Sequence, residues 1–290
     1  MLIPGIWTAM YVEQSLDAAI RSLHALGWEA FECSSEHVEM IDKDDEPSKR
    51  IAETRQALNE LGCAMPQAHA LLHADVAHPD PQRRQEFMDT LGRHLKICAA
   101  LGVRTAVIHP GNGAGIYKTP EERRTLIALN IENFRRLGDQ AGELGLKIGI
   151  ENMPVSPKDA NRFGVHPNEL LVELLARVDH PALGITIDTD HTQTSGLDTA
   201  EVIRQFGKHI IGTHISDADR RGLSHRTPGN ATIDWVSVMK AFRDIQYSGI
   251  FNLEIPGERH REPDIVKMKV RHAREVTEWL VNQVNNPESE

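Results

Sequence analysis

The chain has 290 residues, 40% of them apolar, and a net charge of −10, which is the profile of an ordinary soluble globular protein. No apolar run nears the roughly 18 residues that cross a bilayer, and the acidic balance opposes steering towards nucleic acid. Cys33, Cys63 and Cys98 are widely spaced with no CxxC pair, which argues against a disulfide framework or a cysteine zinc site and leads us to expect a cytoplasmic protein.

In chain order, Leu2 to Trp7 reads as a first short strand, with neither the basic region nor the apolar length of a signal peptide. Ser15 opens a helical pattern (Leu16, Ala19, Ile20, Leu23, Leu26) that stops at Gly27. Trp28 to Glu32 alternates apolar and acidic residues as a second strand, and a polar segment from Asp42 leads into a helix closed by Gly62. The run Cys63 to Ala68 delivers His69, and a helix from the Pro79-Asp80-Pro81 turn reaches about Leu101. Thr105 to Ile108 then delivers His109. Thr119-Pro120-Glu121-Glu122 is a strong helix start, and that helix runs to Leu144. Lys147 to Ile150 ends in Glu151; His166-Pro167-Asn168-Glu169 opens the next helix. Ile185 to Ile187 ends in Asp188, with His191 three residues on. Ile210 to Thr213 ends in His214, and Phe251 to Leu253 ends in Glu254. Helices near Leu197–Phe206, Ile233–Ile245 and Pro263–Val284 complete the pattern, leaving 285–290 as a flexible tail.

Eight strand-then-helix units over residues 1–284, with no linker, are the arithmetic of a single (β/α)8 TIM barrel. A doubly wound sheet binding a dinucleotide would carry a glycine fingerprint after its first strand, where this chain has Thr8-Ala9-Met10-Tyr11. Barrels of this kind gather strand-end residues into one site. Glu151, Asp188, His214 and Glu254 are therefore expected to converge. Their carboxylates would repel one another unless a cation sits among them. Mixed oxygen and nitrogen ligands suit Mn²⁺, Mg²⁺, Co²⁺ or Zn²⁺. His69 and His109 are expected to line the same pocket and His225 to reach it from a loop. Singly, each of these residues also has an ordinary structural reading, as a turn cap or a satisfied core histidine.

The motifs Ile150-Glu151-Asn152, Ile187-Asp188-Thr189-Asp190-His191, Thr213-His214-Ile215-Ser216-Asp217 with Arg220, His225 through Ile233-Asp234-Trp235, and Leu253-Glu254 run along nearly the whole chain. In order and spacing they resemble the xylose-isomerase-like TIM barrel superfamily, the sugar phosphate isomerase/epimerase type. The resemblance implies one divalent metal, Mn²⁺ foremost, on Glu151, Asp188, His214 and Glu254. It implies the two glutamates as a proton-transfer pair, and His191 and Arg220 as substrate contacts beside His69 and His109. The implied reaction is isomerisation or epimerisation of a small polyhydroxy carbonyl compound in a homodimer or homotetramer, with dehydratase or lyase chemistry on a keto-sugar or keto-inositol as the neighbouring alternative. Moving a proton beside a carbonyl needs a base, an acid and stabilisation of the enediolate oxygen, which this set of groups can supply.

Two departures qualify the resemblance. Asn152 to Pro157 lacks the further glutamate that ketohexose 3-epimerases carry just after the strand. The superfamily's apurinic endonuclease branch, which binds three zinc ions, is matched at His69, His109, Glu151, Asp188, His191, His214, His225 and Glu254, but Leu223 stands where that branch has an aspartate. A barrel that binds a sugar without turning it over is a further alternative, against which the intact glutamate pair argues.

Overall fold

Eight short strands alternate with helices from one end of the chain to the other. The structure, a computed structural model, describes residues 1–115, 119–155 and 167–285. The strands are β1 (Leu2–Trp7), β2 (Ala30–Cys33), β3 (Ala64–His69), β4 (Thr105–Ile108), β5 (Lys147–Glu151), β6 (Leu183–Asp188), β7 (Ile210–His214) and β8 (Gly249–Leu253). All pair in parallel, in the order β7-β6-β5-β4-β3-β2-β1-β8. This is the (β/α)8 barrel that the sequence pattern predicts.

The outer layer holds α1 (Leu16–His24), α2 (Ser35–Asp42), α3 (Pro47–Leu61), α4 (Pro81–Leu101) and α5 (Pro120–Glu143). It continues with α6 (Pro167–Val178), α7 (Thr189–Thr194), α8 (Thr199–Phe206), α9 (Trp235–Asp244) and α10 (Pro263–Asn285). Local chemistry sets their ends. Thr119 and Glu122 form a reciprocal capping box before Pro120, and Asp80 caps α4 ahead of Pro81. Gly62 and Gly102, with φ of 66° and 86°, close α3 and α4 in the left-handed conformation.

The seam between β7 and β8 is closed partly by a side chain. Thr213 Oγ1 donates to the Ile250 carbonyl at 2.8 Å and accepts from Asn252 N at 3.0 Å. Ile215 N then donates to Asn252 O at 2.7 Å, and Glu254 N to Ile215 O at 3.1 Å. These last bonds hold Glu254 at the barrel mouth.

The structure adjusts several boundaries. Helix α2, absent from the sequence reading, is capped by Ser34, whose hydroxyl accepts from His37 N. Helix α7 is a single extra turn or so, capped by Asp188 itself. Strand β2 begins at Ala30, later than expected, leaving Trp28 buried in the approach to it. Asn285, expected in the tail, is the last residue of α10, and its side-chain amide exchanges hydrogen bonds with Leu2 N and O at 2.9 and 3.0 Å. The rest of the expected tail and His166 lie outside the described residues. Among the described residues no helix is long and apolar enough to cross a membrane.

Candidate metal centre

Inside the barrel, small residues leave room for polar ones. A Cβ on Gly149 would lie 2.1 Å from Thr186 Oγ1, and one on Gly212 would lie 2.7 Å from Gln67 Oε1. A polar layer of Gln67, Thr186, Asn252 and Glu32, each fully buried, occupies that room.

At the C-terminal ends of the strands, Glu151 is contacted by four imidazoles. His109 Nε2 and His69 Nε2 lie 3.1 and 3.4 Å from its Oε2, and His191 Nδ1 and His214 Nδ1 both lie 3.3 Å from its Oε1. His214 Nδ1 is also 3.4 Å from Glu254 Oε2. Ligand atoms of Glu151, Asp188, His214 and Glu254 all lie within 4.8 Å of one another, as do those of His69, His109 and Glu151 and those of Asp188, His191 and His225. The structure thus brings together every expected site residue but one. Arg220 is exposed; its guanidinium lies beside Gly196, where it lines a separate surface pocket of about 360 Å³ with Gln193 and Thr232.

Neighbouring residues hold this cluster in place. Asn152 clasps the end of β6, accepting from Asp188 N at 2.6 Å and donating to Asp188 O at 3.0 Å. Asp188 Oδ1 caps α7 through His191 N, which leaves Oδ2 turned to the cluster. His191 Nδ1 lies 2.7 Å from Asn152 O, and His69 Nδ1 lies 2.9 Å from Ala70 O, so backbone carbonyls orient both rings. Asp190 Oδ2 accepts from Ser224 Oγ and His225 N, and so fixes the loop in which His225 adopts a φ of 49°.

The electrostatics set buried acids against buried histidines, and, against its burial, Glu254 is held below its usual range by His214 and His225. Burial opposes ionisation of Glu151, but His214 and His109 outweigh it and hold the carboxyl well below its usual range. Asp188 is pushed up to about 7 by burial, reinforced by Glu151 and Asp190 against the pull of His191 and His225. Burial works against charge on His191, yet Asp188 and Glu151 raise it to about 10. Burial likewise opposes charge on His214, and Glu32, Glu254 and Glu151 raise it well above the ordinary histidine value. Burial alone dominates at His109 and lowers it.

Among the described residues, Glu151 Oε2, Asp188 Oδ2 and His214 Nδ1 are buried without a hydrogen-bond partner, although histidine nitrogens lie close to the two carboxylate oxygens. Such atoms are costly to bury and are rarely left unpaired. Gathered in one oxygen and nitrogen set with no thiolate, they fit a divalent cation.

The family model described as xylose isomerase-like TIM barrel matches residues 20–280. The chain belongs to that family. Its relatives include an uncharacterised protein of Methanocaldococcus jannaschii, 22% identical and covering 91% of this chain and 86% of the relative. A probable ketose 3-epimerase of Synechocystis is 25% identical (59% and 56% covered), and a probable endonuclease 4 of Mycoplasma pneumoniae is 24% identical (71% and 73%). Among solved structures, a D-tagatose 3-epimerase-like protein superposes with a TM-score of 0.78 at 19% identity, covering 99% of each chain. A D-psicose 3-epimerase superposes at 0.77 and 18% identity, covering 97% of this chain and 99% of its own. At these identities the superpositions establish the fold.

The sequence reading of this xylose isomerase-like barrel missed Glu32, Asp190 and Asn152 as parts of the site. Asn152 and Asp190 sit inside the quoted motifs, so a strand-end amide and a second acid beside Asp188 were the available signals. Glu32 is fully buried at the end of β2, while Glu29, its partner in the acidic alternation, is exposed. Only closure of the barrel separates the two.

Proposed function

We propose that the chain is a divalent-metal-dependent isomerase or epimerase of a small polyhydroxy carbonyl compound, a sugar, ketose or inosose. The observation that carries this reading is the convergence of Glu151, Asp188, His214 and Glu254 at four strand ends, with unpaired buried ligand atoms on three of them. Glu151, Asp188, His214 and Glu254 would hold one cation, Mn²⁺ foremost. When bound, it supplies polarisation of the substrate carbonyl and stabilisation of the oxyanion that develops there.

The chain's own residues then move the proton. One glutamate of the pair takes the proton beside the carbonyl and the other returns it, through an enediolate. His191, held by Asn152 O, and His69, held by Ala70 O, present fixed rings to the substrate, with His109 beside them. Arg220, on its exposed loop, would contact substrate only at the outer rim. The epimerases among the relatives and superposed structures support this reading; a homodimer or homotetramer in the cytoplasm is part of the proposal.

The experiment is solvent deuterium exchange at the substrate carbon beside the carbonyl, run over a panel of ketoses and inososes. Wild type should exchange at least one of them, and Glu254→Gln should lose 10²-fold or more, roughly the contribution of one general acid or base. Undiminished exchange in a folded Glu254→Gln would sink the role given to Glu254.

A specific observation favours a second reading. The His69-His109-Glu151 and Asp188-His191-His225 groups abut the central set and share its carboxylates, which suits a multinuclear zinc hydrolase of phosphoesters. Against it, Leu223 is 42% exposed and brings no carboxylate to the second of these groups. Incision of abasic-site DNA would establish that reading.

A further inference from the structure

Glu32 lies in the barrel interior beneath the cluster and is outside the set of residues so far given a role. It is fully buried, and among the described residues its hydrogen-bond partners are His214, Gln67 and Asn252. His214 Nε2 is 2.9 Å from Glu32 Oε1. Gln67 Nε2 donates to Oε2 at 3.1 Å, and Asn252 Nδ2 donates to the same oxygen.

The orientation of Gln67 is fixed from outside this network. Its Nε2 donates to the Thr213 carbonyl at 3.0 Å and its Oε1 accepts from Thr213 N at 3.3 Å, so only an N–H can face Glu32. As a carboxylate Glu32 is acceptor-only at both oxygens, and with the two amides on Oε2 its Oε1 faces a proton that His214 carries on Nε2. When the ring gives up its second proton, as a metal ligand must, the proton held on Nε2 leaves the lone pair on Nδ1. That nitrogen is the buried atom without a hydrogen-bond partner, 3.3 Å from Glu151 Oε1 and 3.4 Å from Glu254 Oε2.

We propose that Glu32 is a positioning residue that locks His214 as the Nε2–H tautomer and turns its Nδ1 lone pair to the metal. The inference rests on the metal reading above. A buried carboxylate behind a ligating histidine fixes ring and tautomer together and raises the basicity of the ligating nitrogen. An amide cannot replace it. In Glu32→Gln, one orientation sets Nε2 against the two amide donors of Gln67 and Asn252, and the other sets it against His214 Nε2–H. Either leaves two donors facing one another, or drives the His214 proton to Nδ1, where it blocks the ligand position.

The test uses the full chain, stripped of metal, as wild type and Glu32→Gln. Zinc affinity is read by competition with a chromophoric chelator, metal-free thermal stability by a melting curve, and the zinc-loaded His214 ring by ¹⁵N shifts. The expected result is zinc binding weakened 10–100-fold in the variant, the range typical for losing such a partner. Wild-type His214 should show a protonated Nε2 and a metal-bound Nδ1. Equal zinc affinity in a folded variant, or a wild-type His214 bound through Nε2, overturns the role of Glu32 while leaving the metal reading intact. A wild type that takes up no zinc overturns both. Should Glu32→Gln fail to fold, the wild-type ring spectrum decides alone.

Discussion

His94 is buried in α4 with neither ring nitrogen hydrogen-bonded and Asp42 Oδ2 3.8 Å away. Burial lowers it below the ordinary 6.5, outweighing the pull of Asp42. Above that value it is neutral in both folded and unfolded chains, and its titration costs nothing. As pH falls below 6.5, the unfolded chain binds a proton that the folded ring refuses, so the folded state loses stability. Replacing it with leucine removes that penalty and two unpaired polar atoms. His94→Leu should therefore match or exceed wild type at pH 8 and lose less stability on going to pH 5.5, by urea unfolding. An unchanged pH slope would contradict this. The same scale decides what was legible in the sequence. His69, His109, Glu151, Asp188, His214 and Glu254 were legible because an apolar run ending in a polar residue fixes where that residue stands in a barrel. Arg220 belongs to a loop motif, and loop position does not follow from strand period, so its exposed placement was not.

At the scale of elements, one hydroxyl closes part of the β7–β8 seam. Thr213→Val keeps shape but leaves Asn252 N without its acceptor, whereas the Ile250 carbonyl retains Tyr247 Oη at 3.1 Å. An orphaned buried donor costs about 1–3 kcal/mol. Thr213→Val should lose that much in denaturant unfolding, and Thr213→Ser should recover most of it; a valine variant as stable as wild type would show that the seam does not need the hydroxyl. The strands were legible because buried parallel strands are apolar runs bounded by turns, and the long helices because prolines, caps and glycines mark their ends. Helices α2 and α7 were not. Each is eight residues or fewer, and α7 takes its cap from Asp188, a residue that the pattern assigns to the strand.

At the scale of the whole molecule, seven of the eight strands, β2 to β8, carry histidines and acids from across the chain to one place. Glu151, Asp188 and Glu254 are brought together at a cost in burial and mutual repulsion that neighbouring histidines outweigh at Glu151 and Glu254 but not at Asp188. That cost is comprehensible if the protein holds a cation there. The most direct measurement is elemental analysis of gently purified protein beside Glu254→Ala. The account predicts about one Mn, Mg, Co or Zn per chain in wild type, lost or much reduced in the variant. Two or three zinc ions per chain would favour the hydrolase reading, and no metal after reconstitution would contradict the metal centre itself.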